Sequence, residues 1–396
     1  TAYRRQRQMC IRDRVQAING GTIAADAFYL DTGSSGYRWS VGSLSINGYE
    51  YSLVQGGISG NTNDWYLTSE ASQVAPEGGA YIGTQQATRT MFDHGLQDRA
   101  SKRSLGADRQ DSGLWMRAQG RHDKGMRMAE GKVDIDSSSD VVQMGGALLR
   151  RPVGAQGALY AGLMAGYGDA RIDSTSTLMR RDTNTAVRAK AHGKVSGYSA
   201  GVYGTFYADD VNRLGAYVDT WLQYGRYTNR LSSELGSADY DSNLWSASLE
   251  SGYALAPFAA DSPFRAWVVE PRGQLIYSRY TARAADLQDT RLRNGTADAW
   301  RSSIGVRLYQ QPGQAADESV LRPFVETNWL HSEAVPSVRM GSNSFDARPS
   351  RDALELKVGA QLRVARDVEL SSHLFGHSGS ASEYGYGGQL SLSYSW

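Results

Sequence analysis

Hydrophobic and polar residues alternate along most of the chain from about residue 112 onward. In the stretch DALELKVGAQLRVARD, for example, Leu354, Leu356 and Val358 alternate with Glu355 and Lys357. Such alternation predicts β-strands with one apolar face and one polar face. An even number of these strands is typical of bacterial outer-membrane β-barrels formed by one chain. Twelve alternating segments begin near residues 114, 141, 157, 195, 214, 243, 264, 298, 321, 352, 367 and 385.

The connections between these segments also alternate in length. The long polar stretch DKGMRMAEGKVDIDSSSD precedes the short RPVGAQG, and the long DARIDSTSTLMRRDTNTAVRAKAHGK precedes the short ADDVNR. A soluble β-sandwich gives no reason for this order, whereas an outer-membrane barrel has short periplasmic turns and long external loops. The pattern therefore predicts an all-β membrane protein, a twelve-stranded antiparallel barrel. The start of its first strand and the end of its last strand are expected on the periplasmic side.

Many charged residues of the predicted strands fall on the face opposite to the apolar one. A charged side chain is costly in hydrocarbon, so these residues are expected to line a wet lumen. Twelve strands leave a bore of roughly 10–12 Å after side chains, which is about the diameter of one α-helix. The predicted lumen-lining residues are Asp219, Glu250, Glu270, Arg272, Arg301, Arg307, Glu326, Glu355, Lys357 and Arg363.

The segment AYIGTQQATRTMFDHGLQDRASKR lies upstream of the first predicted strand and lacks β alternation. It is polar on nearly every face, which makes an isolated helix unstable, and Gly95 adds about 1 kcal/mol to that instability. We therefore predict a helix over residues 80–99 that fills the polar bore, within a linker and plug region 73–111 that precedes a barrel 112–396. A solvated linker helix is the alternative interpretation.

The composition agrees with strands. The 396 residues include 44 glycines, 23 tyrosines and one cysteine, and no eighteen apolar residues follow one another, which excludes a helical membrane span. The first fourteen residues, TAYRRQRQMCIRDR, hold five arginines and the single cysteine. We expect residues 1–14 to be non-native, adapter-derived sequence. A basic arm that binds lipid or nucleic acid is the alternative.

Several stretches resemble the pertactin-type autotransporters of Gram-negative bacteria over residues 15–396. They are LWMRAQG, VVQMGGALLR, LGAYVDTWLQYGRY, VLRPFVETNWLH, the upstream YEYSLVQGGISGNTNDWYLTS and a last strand that ends in Trp. The resemblance implies an outer-membrane barrel plugged by a helix, which anchors or releases an N-terminal passenger built as a parallel β-helix. Residues 15–72 would be the last rungs of that passenger. The residues implied as its capping core are Tyr49, Tyr51, Leu53, Trp65 and Leu67.

The resemblance also gives the last strand a second role. In such proteins a terminal strand with alternating apolar residues is similar to the signal read by the barrel-assembly machinery, since the open edge of a sheet can pair with another strand. The implied partners are outer-membrane lipid, this machinery, periplasmic chaperones and the passenger, with a monomeric barrel and no nucleic acid. The implied signal positions are Gly388, Leu390, Leu392, Tyr394 and Trp396.

Catalytic readings are weak. His373, His377 and Ser378 lie close together in the chain, but their spacing does not match outer-membrane hydrolases, and no cluster suggests a metal or cofactor site. Some related proteins cut themselves at an Asn-Asn pair in the plug helix, and this chain contains no such pair. The prediction is a non-enzymatic translocator with its passenger at the cell surface. A stand-alone pore or adhesin barrel, or a carrier of an enzymatic passenger lost upstream, remains the alternative.

Overall fold

The fold is a closed antiparallel β-barrel with helical segments inside it and a small N-terminal sheet at one mouth of the barrel. The computed structural model describes residues 9–19, 21–56, 62–70, 72–99, 113–259, 261–295, 298–311, 321–365, 367–380 and 383–395. In chain order the elements are β1 (Met9–Val15), β2 (Tyr37–Arg38), β3 (Ser43–Ile46), β4 (Tyr49–Gln55), β5 (Trp65–Glu70), α1 (Glu77–Thr90), α2 (Leu96–Arg99), β6 (Gly113–Met128), a 3₁₀ turn (Ala129–Gly131), β7 (Val133–Val153), β8 (Gly157–Arg180), β9 (Thr185–Tyr207), β10 (Gly215–Ser233), β11 (Gly236–Ala254), β12 (Trp267–Ala282), β13 (Ala285–Leu287), β14 (Thr290–Asn294), β15 (Asp298–Gln310), β16 (Leu321–Ser332), β17 (Ser337–Met340), β18 (Asn343–Asp346), β19 (Asp352–Ala365), β20 (Val368–Gly379) and β21 (Tyr384–Ser395).

Twelve strands close the barrel, as the alternation predicts. Strands β6 to β12, β15, β16 and β19 to β21 pair in this order, and β21 pairs with β6 to close the ring. Gly113 lies opposite Ser395, so the start of the first barrel strand and the end of the last one lie at the same end of the barrel, which we call the near end. The opposite end is the far end. The twelve-stranded antiparallel barrel and the helix inside it are confirmed.

Large apolar side chains are exposed around the outside of the barrel. A belt of this size is far larger than the apolar patches of a soluble protein and matches a wall that faces hydrocarbon. Members of the belt include Leu114, Met116, Val142, Met144, Leu163, Val202, Leu222, Leu249, Leu275, Ile304, Val325, Leu354, Leu356, Leu374, Leu390 and Leu392.

The long polar stretches of the sequence are strands rather than loops, which corrects the predicted loop pattern. Strand β7 begins at Val133 instead of near residue 141, and β9 begins at Thr185 instead of near residue 195. In these far-end extensions polar residues face outward, while inward residues such as Ile135 and Ile172 are 1% exposed. The outward residues can be polar because lipid does not surround the barrel wall there. Without apolar outward residues, the sequence of these strands resembles that of polar loops.

The N-terminal sheet is antiparallel, which corrects the expectation of parallel β-helix rungs. Its strand order is β1-β5-β4-β3-β2, and every pair is antiparallel. For β3 and β4 the physical reason is the Asn47-Gly48 turn that joins them, where both residues have positive φ (51° and 90°). An Asn-Gly pair of this kind forms a tight hairpin and reverses the chain.

A second small sheet stands at the far end, built from the two longest far-end connections. Strands β13 and β14 come from the β12–β15 connection, β17 and β18 come from the β16–β19 connection, and the order is β13-β14-β17-β18. Residues 1–8 and Trp396 lie outside the described residues, so the predictions made for them stay predictions.

Candidate functional site

Helix α1 packs against the inner wall of the far half of the barrel. Tyr81 stacks on Tyr240 with ring centroids 5.1 Å apart, and Thr84 Oγ1 lies 2.6 Å from the Tyr240 hydroxyl. A Cβ atom on Gly83 would lie 2.4 Å from Ile172 Cγ2, so only glycine allows this close approach of helix and wall. The sequence predicts a polar channel around the helix. Here the wall is largely apolar, because inward residues of the extended strands such as Ile135 line it.

The predicted continuous helix over residues 80–99 is broken between Thr90 and Leu96. His94 occupies the break. Its ring stacks on Trp221 at 5.0 Å, and its carbonyl oxygen accepts a 2.8 Å hydrogen bond from Gln274 Nε2. The Leu96 amide donates a 2.9 Å hydrogen bond to Glu250 Oε2. Wall side chains therefore take over the backbone groups that the interrupted helix leaves unpaired.

The short helix α2 is fixed to opposite walls of the lumen. Arg99 forms a buried ion pair with Asp219 on β10, and its guanidinium carbon lies 4.3 Å from the centre of the Tyr203 ring. On the other side Asp98 Oδ1 lies 3.5 Å from Lys357 Nζ on β19. The Asp98 carbonyl oxygen also accepts a 2.8 Å hydrogen bond from Gln389 Nε2 on β21. We call these contacts of Asp98 and Arg99 the α2 clamp.

Beside the clamp, wall charges neutralise one another. Glu326 accepts hydrogen bonds from Arg272 and, at 3.3 Å, from Arg307 Nη1. Arg272 also lies 3.5 Å from Glu250. These ion pairs are buried, so removal of one partner leaves an uncompensated buried charge.

The predicted lumen residues fall into three groups. Asp219, Glu250 and Glu270 contact the plug directly, the last through a 2.9 Å hydrogen bond from Gln97 Nε2. Arg301 and Lys357 also reach the plug and are half-buried. Arg272, Arg307, Glu326 and Glu355 form wall-to-wall contacts, while Arg363 lies toward the near end, opposite Glu369.

The plug does not fill the lumen evenly. Helix α1 leans on β7 to β10, and a cavity of about 210 Å³ remains beside it. Strands β12, β15, β16, β19 and β20 provide most of the wall of this cavity. Its polar lining includes Asp93, Arg301, Lys357 and His373. The cavity is a polar-lined space in an otherwise occupied pore.

The sequence did not identify the residues that tie the N-terminal sheet to the plug. Arg38 is fully buried, and its Nη2 donates to Glu77 Oε1 at 2.8 Å, at the start of α1. Its Nε donates to Glu50 Oε1 at 2.9 Å. We call these three residues the Arg38 triad. Burial raises the pKa of Glu50, and the attraction of Arg38 offsets only part of this effect, while the nearby negative charge of Glu77 raises the pKa further.

Further contacts seat this sheet on the far end of the barrel. Ser40 Oγ donates to Glu234 Oε2 at 2.6 Å, in the β10–β11 turn. The Tyr49 ring lies 5.2 Å from Phe345 on β18. Asn343 Nδ2 donates a 2.9 Å hydrogen bond to the Asn47 carbonyl oxygen. The sheet therefore covers the far mouth of the barrel.

The proposed capping core of the passenger is buried less than expected. Trp65 is 7% exposed, while Tyr49, Tyr51, Leu53 and Leu67 are half-buried. The buried residues on the other face of β3 and β4 are polar, Ser43, Ser45 and Glu50 among them. The polar groups of this face bond within the sheet, since Ser43 Oγ and Arg38 Nε both donate to Glu50.

The predicted signal positions of the last strand that the structure describes face outward. Leu390, Leu392 and Tyr394 are 50%, 39% and 46% exposed on the apolar belt, and Gly388 shares their face. Their strand is paired on both sides, with β20 and with β6. The edge that an assembly factor could bind is therefore available only before the barrel closes.

The residues considered as catalytic candidates, His373, His377 and Ser378, lie on two different faces of β20. His373 and His377 face the lumen, where His377 Nε2 lies 3.3 Å from Asp123 Oδ1. Ser378 follows directly in the same strand and points to the opposite face. In the described part of the chain no group of three or more His, Cys, Asp or Glu residues could hold a metal ion. No described helix is long and apolar enough to cross a membrane.

Comparisons with known proteins agree with this geometry. The protein YdeU of Escherichia coli K12, which is uncharacterized, is 28% identical over 417 aligned residues, covering 96% of this chain and 85% of that protein. The E. coli autotransporter adhesin AIDA-I is 25% identical over 385 residues, covering 92% of this chain but 29% of that protein. The chain thus spans less than a third of the length of AIDA-I.

Solved structures share the fold. The transport unit of AIDA-I from E. coli matches with a TM-score of 0.69 and 22% identity, covering 82% of this chain and 100% of that one. The β domain of the Bordetella autotransporter BrkA matches with a TM-score of 0.51 and 18% identity, covering 72% of this chain and 99% of that one. The family model of the autotransporter β-domain matches residues 114–373. Because that match covers well over half of the chain, the chain belongs to the autotransporter β-domain family, the outer-membrane barrels of Gram-negative bacteria.

Proposed function

We propose that this chain is a translocator unit that anchors and exports an N-terminal β-helical passenger to the cell surface. One observation carries the proposal. The chain runs from the sheet at the far mouth, through the lumen as α1 and α2, toward the near end where β6 begins. A segment left threaded through a closed barrel is what export of an upstream passenger leaves behind. In this proposal the far end faces the exterior.

The half-buried side chains of the N-terminal sheet support the link to a passenger. Tyr51, Leu53 and Leu67 lie on one face of neighbouring strands and stay partly accessible. Further coils of an upstream passenger would cover this face. The similarity to AIDA-I, itself an adhesin, favours an adhesive passenger. The plug region 80–99 has no asparagine, so we propose that the passenger remains attached or is cut by another route.

Catalysis has no place in this proposal, because the Ser378 side chain faces away from the His377 ring. Export needs the outer-membrane lipid, periplasmic chaperones and the barrel-assembly machinery, and the last strand β21 serves as the signal for the latter. The continuous apolar belt supports a monomer in the membrane. A stand-alone pore is the second candidate, favoured by the cavity of about 210 Å³ beside the plug.

The test is an accessibility experiment in cells that express the chain behind a secretion signal. An epitope inserted in the exposed turn at Gly33 should bind antibody on intact cells. The matched control is the same epitope at Gly154, in the near-end turn between β7 and β8, which should bind only after the outer membrane is permeabilised. Binding to the Gly154 epitope but not to the Gly33 epitope on intact cells would contradict the proposal.

A further inference from the structure

The outer wall carries a row of three cations on neighbouring strands. Arg171 on β8 lies directly opposite Lys194 on β9, and Lys194 lies directly opposite Arg230 on β10. All three side chains are exposed. We call these residues the cation row.

The cation row lies just beyond the apolar belt. Arg171 follows Tyr167 by four residues, and Lys194 precedes Tyr198 by four. The rings of Tyr167 and Tyr198 lie 5.0 Å apart on the outer wall, as aromatic residues do at a membrane interface. Four residues of a strand tilted by about 40° rise roughly 10 Å along the membrane normal. The row is therefore at the level of lipid headgroups, on the far side of the membrane.

Three like charges directly opposite one another destabilise a sheet unless an anion lies between them. Among the described residues, Arg171 and Lys194 form no ion pair, whereas Arg230 Nε lies 2.6 Å from Asp239 Oδ1. Asp173, two residues from Arg171, is bonded at 2.7 Å to His192 instead. Among the described residues, Asp239 thus compensates Arg230, while no carboxylate lies within ion-pair distance of Arg171 or Lys194.

We propose that the cation row binds the phosphate groups of a phosphorylated glycolipid in the outer leaflet. Arginine presents a planar fork of donors that matches phosphate oxygens, and lysine adds a point charge between the two arginines. The glycolipid chains would lie against the belt residues Leu163 and Val202, which are 53% and 50% exposed. This inference rests on the proposed orientation of the barrel, with its far end outside.

The experiment measures the thermal unfolding of the full chain in detergent while phosphorylated glycolipid is added. The Lys194→Gln variant removes the central cation of the row. Lys190→Gln is the matched control, because Lys190 is exposed on the same strand but lies opposite Thr175. Loss of one charge-assisted hydrogen bond should raise the glycolipid concentration for half-maximal stabilisation roughly tenfold in Lys194→Gln and leave the control unchanged.

The arm without glycolipid separates binding from a folding defect. There Lys194→Gln should unfold at the same temperature as the parent chain or a higher one, because the like-charge repulsion is relieved. Equal glycolipid response in both variants, or equal stabilisation by dephosphorylated glycolipid, would overturn the proposal. So would stabilisation by inorganic phosphate alone. The Gly33 and Gly154 epitopes test the orientation separately, so a failure of the proposed function can be told apart from a failure here.

Discussion

Replacement of Arg38 by Met is predicted to release the N-terminal sheet from the mouth of the barrel. The side chain is fully buried and is the cation shared by Glu50 and Glu77, whose side chains are 1% and 2% exposed. Methionine has a similar length but no charge. The variant therefore leaves two carboxylates buried with no cation between them.

The size of the effect follows from this burial. Removing one partner of a buried ion pair typically costs about 3–5 kcal/mol, because the remaining charge loses its partner without regaining water. At about 1.4 kcal/mol per factor of ten, the population of undocked sheet should rise by roughly two to three and a half orders of magnitude. The barrel itself should keep its stability, because the Arg38 triad lies outside the strand pairs that close it.

The assay is limited digestion with chymotrypsin, which cuts after aromatic residues. Tyr66 is 1% exposed and its strand is paired on both sides, so cleavage there reports a sheet that has left the mouth and opened. The matched control is Arg127→Met, which removes an exposed ion pair with Asp134 and should leave the cleavage rate unchanged. A cleavage rate for Arg38→Met equal to that of the parent chain would refute the reasoning. Adding Glu50→Gln and Glu77→Gln should restore most of the protection.

The same reasoning fixes a pH dependence. Burial raises the pKa of Glu50 in the docked state above its value in the free sheet. Docking therefore gains stability below the ordinary glutamate pKa of about 4.3 and loses it as the pH rises through the raised value. Arg38→Met removes the cation that opposes this shift in pKa. The loss of docking free energy that Arg38→Met causes relative to the parent chain should therefore shrink as the pH falls toward 4.3. A constant difference across this range would contradict the assignment.

Three further predictions concern the barrel and its plug. Deletion of residues 77–99 should raise single-channel conductance in planar bilayers severalfold, whereas equal conductance with and without the segment would place it outside the pore. Gly83→Leu should destabilise the docked helix by about 1–3 kcal/mol through overpacking, measured by hydrogen exchange. Ile172→Ala in the same chain should recover part of that loss. Replacing Leu392 and Tyr394 by Ser should lower outer-membrane yield in cells far more than refolding yield in detergent, and normal yield in cells would exclude the signal role.

The barrel could be predicted from sequence because each membrane-spanning strand has apolar residues facing the lipid and polar residues facing the lumen, and these alternate along the strand. Leu354 and Glu355 show this alternation, and the predicted start at residue 352 matches β19. The prediction fails where lipid is absent. In VDIDSSSD the inward Val133 and Ile135 alternate with aspartates, and the aspartates made a strand resemble a polar loop.

The site was predicted only in part. Inward charges such as Asp219 follow from the phase of their strands, but their partners do not, since Arg99 is 120 residues away in sequence. The sequence did not predict the break in the helix because tertiary contacts cause it. Glu250 accepts a hydrogen bond from the Leu96 amide, and Gln274 donates one to the His94 carbonyl oxygen, in place of hydrogen bonds within the helix. Arg38 and Glu77 carried no local pattern that would pair them.

Two different kinds of contact hold the threaded segment, and they act at different levels of the lumen. Near the mouth, close apolar packing of Gly83 on Ile172 favours one depth of α1, because any shift moves a side chain into the space that glycine leaves open. Deeper in the lumen, the α2 clamp joins Asp98 and Arg99 to strands on opposite sides, so outward movement would strip both charges of partners at once. The Arg38 triad adds a third fixed point above. A segment held at three depths is what the proposed export would leave behind, since sliding in either direction breaks all three sets of contacts together.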